Sequence, residues 1–127
     1  MYNEKVLKMF AEPKNAGIIK GADGVGKVGN AQCGDIMKIY IKVNGDKITD
    51  AKFKTFGCVS AIVSTDVACD MIRGKTLDAA LKVTNQDVLD FLGGLPAQKI
   101  HCSVLAQEAI AAAIADFKNR ERARKRG

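Results

Sequence analysis

Three short clusters carry the residues with obvious chemistry: Cys33-Gly34-Asp35, Gly57-Cys58 and His101-Cys102. They lie too far apart in the chain for any local loop to join them, so only the fold can make one site of them. Three thiols with a hard oxygen or an imidazole as fourth donor suit iron or an iron-sulfur cluster. Cys58 and Cys102 each stand just before a predicted helix, beginning near Ser60 and Ser103, and a helix N-terminus stabilises the thiolate form; Lys99 adds to this at Cys102. Asp35 is two residues from Cys33, so in an extended segment both side chains lie on one side.

Other chemistries fit the residues less well. Common structural zinc sites draw two ligands from one C-x-x-C turn, and no such pair occurs, which leaves a single zinc held by the distant residues Cys33, Asp35, Cys58, His101 and Cys102. A thiol oxidoreductase needs two cysteines poised to form a disulfide, and the missing C-x-x-C counts against it. Cys69 falls eleven residues after Cys58 on one predicted helix, about 16 Å along its axis at 1.5 Å per residue, and its neighbours Val67, Ala68 and Ile72 mark it as a core residue. Gly24-Val25-Gly26-Lys27-Val28-Gly29 matches the dinucleotide-binding fingerprint in letters only. That motif needs a strand before it and a helix after it, and here a glycine-rich stretch precedes and a strand follows.

The elements that must position these clusters are readable from periodicity. Residues 2–11 carry Val6, Leu7, Met9 and Phe10 at helical spacing, ended by Pro13. Six glycines between Gly17 and Gly34 predict a mobile loop leading to Cys33. Met37, Ile39, Ile41 and Val43 alternate with Lys38, Tyr40 and Lys42, the period of a strand with one face buried. Asn44-Gly45 makes a tight hairpin turn into a second strand, Ile48 to Phe56, with Ala51, Phe53 and Thr55 on one face and Lys52 and Lys54 on the other. A helix follows from about Ser60, with Ala61, Ile62, Thr65, Ala68, Cys69 and Ile72 recurring at three and four, to a glycine stop at Arg73-Gly74. Two short helices are expected, capped by Thr76 and Asn85 and closed by Gly93-Gly94. Leu95-Pro96 reads as an extended linker, and a long helix is expected from Ser103, with Leu105, Ile110, Ile114 and Phe117 among alanines. Strands first and helices after give an α+β fold, a small antiparallel sheet of about three strands with helices on one face and a long C-terminal helix.

At 127 residues the chain reads as one domain, 1–127, with ordinary globular composition. No apolar stretch approaches the roughly 20 residues that span a bilayer, and the first residues lack a secretory core, so a cytoplasmic protein without a membrane role is expected. In that compartment the four cysteines stay reduced. The net charge of +6 is nearly all in residues 118–127, where Lys118, Arg120, Arg122, Arg124, Lys125 and Arg126 face one acid, Glu121. Such a tail reads as a solvated, frayed helix end rather than a nucleic-acid surface, with an acidic partner as the alternative.

Taken together, Gly29-Asn30-Ala31-Gln32-Cys33-Gly34-Asp35, Thr55-Phe56-Gly57-Cys58, Ser60-Ala61-Ile62, Gly74-Lys75-Thr76-Leu77 and Lys99-Ile100-His101-Cys102-Ser103-Val104-Leu105-Ala106 resemble the iron-sulfur cluster assembly scaffolds of the IscU and NifU N-terminal type. The resemblance runs from Phe10-x-x-Pro13-x-Asn15 nearly to Lys118, and implies a SufE/NifU-like fold. It implies a scaffold, not a turnover enzyme, on which a cluster of 2Fe-2S type is built and passed to apo-proteins. Iron, sulfur from a cysteine desulfurase and electrons from a ferredoxin-type donor would supply it. By position Cys33, Cys58 and Cys102 would be thiolate ligands, Asp35 or His101 the fourth, and Cys102 the persulfide acceptor. Zinc could occupy the same residues in a cluster-free form, and a homodimer sharing a cluster is allowed. The chain departs from the family pattern at Val59, Val63 and Asp66, which are expected to alter access near Cys58. It also carries Leu95-Pro96-Ala97-Gln98-Lys99 where relatives have Leu-Pro-Pro-Val-Lys, which counts against a dedicated Hsp70-type chaperone partner.

Overall fold

A computed structural model describes residues 2–30, 34–94 and 105–126. The order is α1 (Glu4–Ala11), β1 (Gly24–Asn30), β2 (Asp35–Asn44), β3 (Lys47–Phe56), α2 (Val59–Ile72), α3 (Leu77–Ala80), α4 (Asn85–Leu92) and α5 (Ala106–Arg126). The strands form one antiparallel sheet in the order β1-β2-β3. Helices cover one face, and the other is open, as the alternation in β2 and β3 requires: Met37, Ile39, Ile41, Ile48, Ala51 and Phe53 are buried, while the lysines between them point away.

The first strand corrects the reading of residues 24–30 as mobile loop. Gly24 to Asn30 pair residue by residue with Ile41 back to Asp35. The glycines serve the helix that crosses the strand. A Cβ on Gly26 would stand 2.5 Å from the Ala109 carbonyl oxygen and 2.8 Å from the Ala112 carbonyl carbon, and one on Gly24 would meet the Ala113 backbone and lie 3.1 Å from Phe117 Cβ. With hydrogens in place of side chains, β1 lets α5 lie against its backbone. The helix also closes the strand's free edge, since Asp116 accepts from the Val25 amide at 2.8 Å and pairs with Arg120 at 2.9 Å.

α2 runs through the middle of the molecule, buried on nearly every side, with Val63, Val67, Ala68, Cys69 and Ile72 in the core. The outer edge of β3 is covered twice. The Phe53 amide donates to the Asn15 carbonyl at 3.0 Å and Gly17 donates back to Phe53 at 2.8 Å, while Ile48 donates to Lys75 at 2.8 Å and accepts from Gly74 at 2.7 Å.

Helix ends agree with expectation at Thr76, whose hydroxyl accepts from the Ala79 amide, and at the left-handed Gly93. α4 is capped one residue earlier than expected: Thr84, not Asn85, accepts from the Asp87 amide, and Asp87 returns the bond in a capping box. The basic tail is a continuous helix through Arg126 rather than a frayed end, and Arg120 donates to the Ala22 carbonyl at 2.9 Å. The expected Leu95-Pro96 linker and the helix start at Ser103 lie outside the described residues.

Candidate metal centre at the end of the sheet

Asp35 is the first residue of β2 and is 2% exposed. The inner-face alternation of the strand turns it toward α2. Cys58 is the N-cap residue of that helix, with extended backbone and no capping bond from its side chain. Its amide, which no intrahelical carbonyl can satisfy, points at the Asp35 carboxylate, 3.4 Å away. A negative group beside a helix N-terminus is favourably placed.

Gly57 makes this approach possible. A Cβ there would stand 2.9 Å from the Asp35 carboxyl carbon and 3.2 Å from the Ala61 methyl group, so any larger residue would push the Asp35 carboxylate from its place. The sequence signal was a glycine directly before a candidate ligand. Two hydroxyls near this corner stand out in the sequence only as parts of longer motifs: Ser60 donates to the Tyr2 hydroxyl at 3.2 Å, and the buried Thr55 hydroxyl has no hydrogen-bond partner among the described residues.

Cys33, His101 and Cys102, with Lys99 and Ser103, lie outside the described residues. The described residues on either side of Cys33 lie at this end of the sheet. Asn30 and Asp35 are paired in register, so the connection between β1 and β2 starts and finishes there. α5 runs antiparallel to β1, with Phe117 over Gly24 and Ala109 over Gly26, so its N-terminus points toward the β1 terminus at Asn30.

Residues 1–124 match the NifU-like N terminal domain family. The chain belongs to that family. It is 53% identical over 117 residues to the iron-sulfur cluster assembly scaffold protein IscU 1 of Archaeoglobus fulgidus, covering 92% of this chain and 76% of the relative. It is 46% identical over 127 residues to the IscU scaffold of Escherichia coli, covering 97% and 98% of the two chains. The nitrogen fixation protein NifU of Nostoc is 51% identical over 125 residues, but this chain spans only 42% of its length. Among solved structures, the putative iron-sulfur cluster assembly scaffold of Fervidobacterium islandicum superposes with a TM-score of 0.72 at 28% identity, covering 89% of this chain and 96% of that one.

The remaining singled-out residues of this NifU-like domain fall away from the corner. Cys69 is fully buried in the core of α2. Burial, and then the negative charge of Asp66, push its thiol well above the ordinary range. Asp66 corrects the expectation that it shapes access to Cys58: it is 1% exposed and faces the N-terminal segment, where its Oδ1 accepts from the Asn15 amide at 2.9 Å and from Asn15 Nδ2 at 3.0 Å. Arg73 completes the cluster, donating to Asn15 Oδ1 at 2.6 Å, to Asp70 at 3.1 Å and to the Ala51 carbonyl at 2.7 Å. Desolvation holds the Asp66 carboxyl above its ordinary pKa; at Asp70 the bonds from Asn15, Lys14 and Arg73 outweigh desolvation and hold it below. The cluster ties residues 14–16 to α2 and β3. Among the described residues no helix is long and apolar enough to cross a membrane.

Proposed function

We propose that this chain is an assembly scaffold: an iron-sulfur cluster, of 2Fe-2S type, is built at the sheet end and handed to apo-proteins. The observation that carries the reading is the Asp35 carboxylate set against the Cys58 amide in a corner that Gly57 keeps clear, within a chain whose relatives of nearly equal length are named as scaffolds. In this reading Cys33, Cys58 and Cys102 supply thiolates and Asp35 the fourth donor, with His101 as alternate ligand or neighbour.

The Cys102 thiolate takes the outer sulfur of a desulfurase persulfide. A new S–S bond forms as the donor's breaks, and the donor leaves as a thiolate. Two electrons from a ferredoxin-type donor then cleave the Cys102 persulfide, releasing sulfide to iron and regenerating the thiolate. Thiolates hold iron firmly, whereas a carboxylate is a hard and weaker partner for sulfide-bridged iron, so Asp35 keeps the cargo removable. The chain is thereby a carrier and not a turnover enzyme.

A zinc module using the same residues is the rival. Anaerobic incubation with iron, cysteine and a desulfurase separates the two. A scaffold develops sulfide-to-iron absorption and acid-labile sulfide in proportion to bound iron; a zinc module that gains neither would end the proposal.

A further inference from the structure

The open face of the sheet carries a pattern that the assembly chemistry does not use. Lys27, Lys38 and Lys54 stand opposite one another in register across β1, β2 and β3. Like charges directly opposite oppose strand pairing, so the row works against the fold that carries it. Among the described residues none of the three forms an ion pair; Lys38 lies 5.3 Å over the Tyr40 ring and Lys54 5.8 Å over the Phe56 ring. Beside the row, Ile36 and Phe56 are paired in register and remain 38% and 60% exposed. Lys27, Ile36, Lys38, Tyr40, Lys54 and Phe56 line a furrow of about 200 Å³. Ile36 follows Asp35 and Phe56 precedes Gly57-Cys58, so the furrow borders the candidate centre.

We infer that this face is the docking surface for the recipient of the cargo, an apo-protein with an acidic surface and an apolar side chain that seats against Phe56 and Ile36. The inference rests on the scaffold reading for the partner's purpose, while the surface itself is read from charge and exposure. A recipient must arrive and leave repeatedly. A charge-steered contact with a small apolar anchor gives fast association and ready release. The exposed apolar pair favours a protein, which can seat an apolar side chain against Ile36 and Phe56.

The test titrates the isotope-labelled, cluster-free full chain with an acidic apo-ferredoxin and follows its amide resonances. Shifts should concentrate on residues 27, 36, 38, 40, 54 and 56, and binding should weaken as salt screens the charges. The double variant Lys38→Glu/Lys54→Glu should weaken binding by about tenfold or more, whereas Lys75→Glu/Lys82→Glu, equal in charge change but beside α3, should change it by less than about threefold. Lys38→Glu alone should raise the melting temperature, because it replaces two like-charge pairs with opposite ones; a purely structural lysine would give the reverse. Shifts mapping elsewhere, equal binding by the first double variant, or tighter binding of a short DNA duplex to this face would each overturn the inference. Because the chain is cluster-free here, failure of docking leaves the assembly reading standing, and failure of reconstitution leaves the docking result standing.

Discussion

Replacing Gly26 by Ala adds one methyl group at the place where α5 touches the sheet most closely. The new Cβ would sit 2.5 Å from the Ala109 oxygen and 2.8 Å from the Ala112 carbon, both backbone atoms that cannot rotate away. Reaching an ordinary van der Waals separation moves α5 outward by about 1 Å, and a gap of that size forfeits a quarter to a half of each contact's dispersion energy. The contacts at risk belong to Ala109, Ile110, Ala113 and Ile114, all essentially buried. Overpacking in a closed interior costs about 1–3 kcal/mol, and with a rigid helix as the obstacle the upper end is expected. Gly45→Ala is the control. Gly45 sits in the turn at a φ of +68° with open space around it, so it should lose only about 1 kcal/mol for the left-handed backbone. Urea unfolding followed by far-ultraviolet circular dichroism, with chelator present, measures both. Gly26→Ala should unfold at clearly lower urea than Gly45→Ala with a similar slope. A Gly26→Ala midpoint at or above that of Gly45→Ala would refute the claim that these glycines exist for the helix.

Two further outcomes follow from buried groups away from the candidate centre. The folded-state pKa of Asp66 is raised, so its contribution to stability is fully present below the ordinary carboxylate pKa and is lost as pH rises through the folded value. Asp66→Asn, whose amide oxygen can still accept from Asn15, should therefore gain on the parent as pH rises from the acid side to neutrality. Asp70, with a lowered pKa, contributes above its ordinary value and loses that contribution as pH falls, so Asp70→Asn should flatten the acid limb of the parent's stability profile. Denaturant midpoints across pH read both signs. Cys69→Ala should cost about 1–2 kcal/mol for the lost core volume and leave iron and sulfide uptake unchanged; diminished uptake in a folded variant would place Cys69 in the centre.

Elements with a plain period were legible: alternation in 37–43 gave β2, and three-four spacing gave α1 and also α2, although α2 is buried on nearly every side. β1 was not legible, because six glycines between 17 and 34 carry no period and the reason for Gly24 and Gly26 lies in a helix more than eighty residues downstream. The cap at Thr84 was readable from the Thr-x-x-Asp spacing, which outranks a lone Asn85. At the candidate centre, Asp35 and Cys58 were named from their neighbours, and the fold sets the first beside the second. The Asn15, Asp66 and Arg73 cluster had no such signal, since its partners are joined only by tertiary contacts between residues more than fifty positions apart.

The cargo's lifetime on the chain is the most direct measurement. Parent and Asp35→Ala are reconstituted anaerobically with iron, cysteine and a desulfurase, and the sulfide-to-iron absorption is followed alone and after adding an apo-ferredoxin. With Asp35 as the weak donor that lets the cluster go, the variant should hold its cluster longer and transfer it more slowly than the parent. Faster loss from Asp35→Ala, or a time course identical to the parent's, would contradict that role.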